Sequence, residues 1–293
     1  MRTLSLLLLA APLLCACGSP APSGPTLVAS IYPVAYLAEQ IAGKDFNVVC
    51  ITPAGAEPHD FELRTSDVRT MGDAKAIFVN GLGMETWSGA LPESLSAKTY
   101  TVTSGMESSF IKRDDGRIDP HVWLDPTLYA KMGENILNTL IAVDASHASN
   151  YRKRYADLFT RLSALDQENL EIARSFDGKV IAVAHAAYGY LCARYGITQL
   201  SISDLSPEEE PTQKAIEDIL SAIDTYGIDT VFFEENASKE VATRIAEMTG
   251  AKAKRLSPIE TLYPDEASSG EDYFSLYRQN MQRIKESKGS DRI

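Results

Sequence analysis

Residues 151–178 of the 293-residue chain read YRKRYADLFTRLSALDQENLEIARSFDG. Tyr151, Tyr155, Leu158, Leu162, Leu165, Ile172 and Phe176 recur every three or four residues, and Asn169 is the polar break in the stripe. That period belongs to an α-helix of about seven or eight turns at 3.6 residues per turn, long for a globular protein. Asp177 and Gly178 end the pattern, while Asp144, Ala145 and Ser146 precede it, with Ser146 suited to cap the first turn. A helix over 146–177, at mid-chain, reads as a stiff strut with a folded unit at each end.

Outward from the strut, strand-like runs alternate with helical patterns on both sides. The N-terminal runs are 27–30, 46–51, 76–80 and 99–103, followed by a helix striped by Met132, Ile136, Leu140 and Val143. The C-terminal runs are 179–184, 197–202, 230–233 and 252–256, and Tyr273, Tyr277, Met281 and Ile284 stripe a last helix. Such alternation is the signature of parallel sheets built from βαβ units. The expected fold is therefore α/β, with two βα lobes at 26–145 and 178–293, parallel sheets flanked by helices, and one long rigid helix joining them. A stiff connection predicts limited lobe movement rather than wide hinge closure. No sequence repeat relates the two halves.

The chain starts with Arg2 and an apolar run from Leu4 to Leu14, too short to span a bilayer and of the length of a secretory leader's apolar region. Leu14-Cys15-Ala16-Cys17-Gly18 resembles the lipobox of bacterial lipoproteins, with small Ala16 ahead of Cys17. That reading makes 1–17 a signal peptide and Cys17 the lipid-bearing N-terminus; Cys15 fits less well because Leu14 would precede the cut. A plain cleaved leader would export the chain equally. Residues 18–25, rich in Pro, Ser and Gly, suit an extended tether to the membrane. The formal charge of −12 is the wrong sign for gripping a phosphate backbone, which argues against a nucleic-acid partner. Beyond the leader only Cys50 and Cys192 remain; they read as buried small hydrophobes in different lobes, and no cysteine-rich metal motif exists.

The chemistry-bearing side chains are few. Of the four histidines, His59 follows the 46–51 strand through a loop and His185 ends the 179–184 strand. In open α/β sheets, ligands bind beyond the carboxyl ends of strands, so both face an inter-lobe cleft. His121 sits in Asp119-Pro120-His121-Val122-Trp123-Leu124-Asp125-Pro126, held between two prolines in a conformationally stiff segment. Three neutral imidazoles with a carboxylate make a tetrahedral site that suits zinc. Spacing alone leaves open a shared metal site and three separate hydrogen-bonded histidines. His147, beside Ser146, reads as a surface residue. Tyr188 either lines the cleft or packs in the core. Glu208-Glu209-Glu210 reads as a solvated turn whose charge favours the following helix, or as an attractor of cations to the cleft mouth.

Four motifs in order, Ala56-Glu57-Pro58-His59-Asp60-Phe61-Glu62, Asn80-Gly81-Leu82-Gly83-Met84-Glu85, the His121 octet and Gly270-Glu271-Asp272-Tyr273-Phe274, resemble the zinc- and manganese-binding solute-binding lipoproteins of bacterial ABC importers. The resemblance implies an extracytoplasmic, lipid-anchored monomer that takes Zn2+ and hands it to a membrane permease. It implies His59, His121 and His185 as metal ligands, and Glu260 as the carboxylate that closes the site in some zinc-binding members. Histidine at the third position favours zinc, where manganese-type members carry glutamate. Many zinc members also have a long His-rich loop between the first two ligands; here 104–117 contains no histidine. Other readings are a manganese or iron carrier of the same family, a zinc hydrolase, which needs an open coordination position that Glu260 would fill, and an adhesin. Because ligands bind metal deprotonated, affinity is expected to fall as pH drops below about 6.5, the reference histidine value.

Overall fold

A computed structural model describes residues 24–113, 115–176, 180–202, 212–235 and 239–287. The leader with Cys17, most of the tether, the end of the strut at 177–179 and Glu208-Glu209-Glu210 lie outside the described residues.

The first lobe runs β1 (Thr26–Ala29), α1 (Tyr32–Ala42), β2 (Asn47–Cys50), α2 (Thr65–Asp73), β3 (Ala76–Val79), α3 (Glu93–Ser96), β4 (Thr99–Thr101) and α4 (Pro126–Val143). Helix α5 (Ala148–Arg174) follows. The second lobe then runs β5 (Val180–Val183), α6 (Gly189–Tyr195), β6 (Thr198–Ser201), α7 (Gln213–Tyr226), β7 (Thr230–Phe233), α8 (Lys239–Thr249), β8 (Lys252–Arg255), α9 (Pro264–Ser268) and α10 (Tyr273–Glu286). All eight expected strands are present, in two four-stranded, wholly parallel sheets ordered β2-β1-β3-β4 and β6-β5-β7-β8. The two halves thus share a topology that their sequences do not advertise.

Strand alternation sorts each sheet's side chains into two cores. Leu27, Ala29, Ala76, Phe78, Ile181, Val183 and Phe232 face one continuous core that runs through both lobes. Val28, Ile77 and Val79 face a satellite core in the first lobe, and Ala182 and Val231 face another in the second. The shared core, like the helix, joins the two lobes.

Helix α5 has 27 residues and packs against α1 and α4 of the first lobe and α10 of the second. Its start corrects one expectation. Ser146 is not the cap; it lies in a 3-10 turn at Ala145–His147, where the Asp144 carboxylate accepts from Ser146 Oγ (2.5 Å), His147 Nδ1 (2.6 Å) and the Tyr151 hydroxyl (2.6 Å). A carboxylate that gathers three donors fixes the entry to the helix better than one hydroxyl. His147 is exposed, as expected. The polar break in the stripe, Asn169, is itself buried, and one turn earlier the buried Asp166 accepts from Arg194 Nε (2.8 Å) and Nη2 (2.5 Å), tying α5 to α6.

Each sheet has a switch point where strand order reverses, between β1 and β3 and between β5 and β7, and crevices open there at the carboxyl ends of strands. In the first lobe the crevice is filled by Glu85, which accepts from Ser30 Oγ (2.5 Å), Asn80 N (2.7 Å) and Gly81 N (2.8 Å). In the second it holds His185 and Glu234.

Candidate metal centre

His121 is built into its place. Asp125 caps α4, accepting from Thr127 N (2.7 Å) and Leu128 N (3.3 Å), and Pro126 takes the first helical position, where its missing N–H costs nothing. The preceding 3-10 turn at Val122–Leu124 is buried and leaves His121 fully buried at its start. Asp119 Oδ1 accepts both the His121 backbone N–H (3.0 Å) and ring Nδ1–H (2.7 Å), which leaves Nε2 to face the cleft. Asn80 Nδ2 holds the Pro120 carbonyl at 3.0 Å.

His185 stands two residues past β5 and is 1 % exposed. Glu234, just past β7, accepts its Nδ1–H at 2.7 Å, so again Nε2 is the free nitrogen. That atom is buried and has no hydrogen-bond partner among the described residues.

Glu260 lies in the loop after β8. The loop's carbonyls are held one after another: Leu256 by the Tyr188 hydroxyl (2.8 Å), Ser257 by Asn280 Nδ2 (2.6 Å), Pro258 by Trp123 Nε1 (2.7 Å) and Glu260 by Tyr32 N (3.3 Å). Ile259 takes φ +58°, an uncommon conformation for a β-branched residue, and turns Glu260 inward to 3 % exposure. Tyr188 therefore packs in the core. His59 comes from the irregular loop between β2 and α2; Glu57 Oε1 accepts its backbone N–H at 3.1 Å. Its side chain is 12 % exposed, the most open of the four, and its Nδ1 has no protein partner among the described residues.

These elements bring together all four residues singled out from sequence. One ligand-type atom from each of His59, His121, His185 and Glu260 lies within 4.8 Å of the others. His59 Nε2 is 3.3 Å from His121 Nε2, and Glu260 Oε1 is 2.8 Å from His121 Nε2 and 3.9 Å from His59 Nε2. Donors 2.0–2.2 Å from one tetrahedral zinc are about 3.3–3.6 Å apart, a range that lies within the spread of these separations. Glu260 Oε1 is buried and, its 2.8 Å approach to His121 Nε2 aside, has no hydrogen-bond partner among the described residues. The buried His185 Nε2 and Glu260 Oε1, converging with the Nε2 atoms of His59 and His121, suit a set of ligands for one ion.

The electrostatics agree. Burial pulls His121 down, but Asp119 and Glu260 outweigh it and raise the imidazole to about 10. Burial dominates at His59 and lowers it to about 4 despite Glu260. Glu260 resists its own burial because the surrounding imidazoles hold it below the usual carboxylate range. Burial, reinforced by Glu260, pushes Glu57 well above that range, so the cleft edge carries a neutral carboxyl. His147 lies outside the cluster, and both described cysteines are free thiols.

Sequence reasoning missed the carboxylates behind the ligands. Asp119 stood in a quoted motif without a role. Glu234 had a readable signal, since it follows a strand beside the switch point, as His185 does. Removing its charge tests the arrangement: Glu234→Gln is expected to lower zinc affinity by about 10- to 100-fold, the usual effect of losing a histidine's carboxylate partner, as measured by competition with a chromophoric chelator.

Two parallel α/β lobes, a long connecting helix and a buried cluster of three imidazoles and one carboxylate between the lobes define a two-lobed protein of the metal-carrying type. The chain belongs to the family described as ZnuA, zinc-uptake complex component A, periplasmic, whose profile matches residues 27–287. It is 32% identical over 283 residues to the zinc-binding protein AdcA of Streptococcus pyogenes serotype M1, a match covering 88% of this chain and 55% of AdcA. The chain thus spans about half the length of that relative. It is 28% identical over 298 residues to the high-affinity zinc uptake system protein ZnuA of Bacillus subtilis strain 168, covering 94% and 93% of the two chains. The crystal structure of the Zn(II)-bound ZnuA-like domain of Streptococcus pneumoniae AdcA matches with a TM-score of 0.78 at 31% identity, covering 89% of this chain and 98% of that one. The family is one of uptake components, not of enzymes, and the hydrolase reading falls away with it.

Proposed function

We propose that this chain is an extracytoplasmic, high-affinity zinc-binding protein that delivers the ion to the permease of an ABC importer. His59, His121 and His185 donate Nε2 and Glu260 donates a carboxylate oxygen to Zn2+, which is cargo rather than a resident cofactor. The observation that carries this reading is the convergence of four ligand-type atoms within 4.8 Å, with His121 and His185 aimed there by the carboxylates of Asp119 and Glu234. Three nitrogens and one oxygen suit zinc; an ion preferring six oxygens, such as manganese, is poorly served by so small and nitrogen-rich a set.

The names of relatives support the rest. One is called a zinc-binding lipoprotein in Streptococcus pneumoniae, and the family description is periplasmic. In this reading, the 1–17 leader is cleaved ahead of Cys17, which carries the lipid, 18–25 form the tether, and the lobes at 26–145 and 178–293 work as a monomer joined by the helix at 146–177.

The test is metal content after purification without added metal, for the natural chain and for His185→Ala. The expected result is about one zinc per natural chain, as the four-ligand site requires, and loss of most of it in the variant. Full zinc stoichiometry and unchanged affinity in His185→Ala would remove the ligand assignment.

A further inference from the structure

Tyr273, Tyr277 and Asn280 lie four and three residues apart on α10, so they share one face of the helix, and none is exposed to solvent. The hydroxyls of Tyr273 and Tyr277 donate to the carbonyls of Trp123 and Leu124, each at 2.6 Å. Those carbonyls belong to the 3-10 turn that directly follows His121. One turn further along, Asn280 grips the other lobe's ligand segment. Its Nδ2 donates to Ser257 O at 2.6 Å and its Oδ1 accepts from Ser257 N at 3.0 Å, three residues ahead of Glu260. The indole of Trp123 closes the circuit by donating to the Pro258 carbonyl at 2.7 Å.

Packing alone does not ask for these polar atoms. Phenylalanine and leucine would fill the same space without hydroxyl or amide groups that burial penalises when unpaired. The three side chains instead meet backbone groups that a short 3-10 turn and an irregular loop cannot satisfy themselves. The start of α10 is fixed separately. Asp272 caps it by accepting from Ser275 N (2.9 Å) and also accepts from the Tyr36 hydroxyl of α1 (2.8 Å), so the helix's register is set from the first lobe.

We propose that α10 is the positioning element of the metal centre: its buried face sets the separation between His121 and Glu260, and with it the fit to a small four-coordinate ion. The inference rests on the zinc-binding reading above and adds that Tyr273, Tyr277 and Asn280 act through the ligands without touching the ion. It gives the last helix a role that its apolar stripe does not disclose.

The experiment uses the full chain with Asn280→Asp, which keeps the acceptor and loses the donor, and Tyr277→Phe, which removes a single oxygen. Tyr155→Phe is the matched control, since its hydroxyl also donates to a backbone carbonyl, that of Ala130 at 3.1 Å, outside the cluster. Three quantities are read: zinc affinity by chelator competition, the visible spectrum of the cobalt(II) form, which reports tetrahedral geometry, and the thermal midpoint of the metal-free protein. Both α10 variants are expected to lose about tenfold in zinc affinity, at the lower end of what outer-shell changes cost, and to show altered cobalt bands. Tyr155→Phe is expected to keep the natural affinity and spectrum while losing a similar amount of thermal stability. Natural affinity and cobalt spectrum in either α10 variant, with only the metal-free midpoint lowered, would overturn the proposal. If the natural chain binds neither ion, the zinc reading itself fails, and this inference with it.

Discussion

Zinc added to the metal-free protein is expected to raise the midpoint of thermal unfolding by about 10 °C or more. An ion that binds the native state alone stabilises it by about 4 kcal/mol when its free concentration is 1,000 times the dissociation constant. For a chain of this size each kcal/mol moves the midpoint by roughly 2–4 °C. The structural source of the gain is specific. His185 Nε2 is buried without a hydrogen-bond partner among the described residues, a condition that costs about 1–3 kcal/mol, and the ion satisfies it. The four ligands come from loops separated by long stretches of sequence, so the unfolded chain offers no comparable site. The core continuous through both lobes makes the shift appear in one cooperative transition rather than in one lobe. The measurement is calorimetry or circular dichroism in zinc-buffered solution, repeated with excess chelator. His185→Ala is expected to lose most of the shift. A midpoint indifferent to zinc in the natural chain would sink both the ligand set and the function built on it.

Much of this architecture could be read from the chain because hydrophobic period is a local property. The strut's three-and-four spacing from Tyr151 to Phe176 and the short apolar runs such as Val180–Val183 are set by which side chains face a core, and they name their elements directly. The placement of His185 at a strand's carboxyl end was legible for the same reason. Glu260 was not: nothing in its neighbours marks it as buried, and only the resemblance singled it out. Its position depends on donors from Tyr32, Trp123, Tyr188 and Asn280, residues scattered over both lobes, and no local pattern encodes such a set. Tyr273 and Tyr277 were read as members of an apolar stripe, which they are, but their hydroxyl partners lie about 150 residues away in sequence. Ser146 misled in the opposite way. It has the right type and place for a helix cap, yet its hydroxyl donates to the Asp144 carboxylate instead, and α5 begins after His147 with no side-chain cap.

Zinc affinity is expected to rise about tenfold for each pH unit between pH 5 and pH 8, because metal binding displaces protons from its ligands. The structure moves the window expected from free histidine. His59, lowered to about 4 by burial, is already neutral throughout that range, and Glu260, held below the usual carboxylate range, is already ionised; neither contributes a slope. His121 does, since Asp119 and Glu260 raise it to about 10 and the metal-free protein carries its proton at neutral pH. The sign follows. A histidine raised above its unfolded value stabilises the metal-free fold fully below about 6.5, and that contribution is lost as pH rises through about 10. Proton and zinc therefore compete for one nitrogen: acid favours the empty fold, alkali favours the loaded one, and the stabilisation by zinc widens as pH rises. Titration calorimetry in two buffers of different ionisation enthalpy should show about one proton released at pH 7. An affinity that levels off above pH 6.5 would show that His121 titrates as an ordinary histidine. Asp119→Asn supplies the matching control. Removing that charge lets burial dominate at His121, so the pH profile should level off at lower pH while Glu260 still faces the ion.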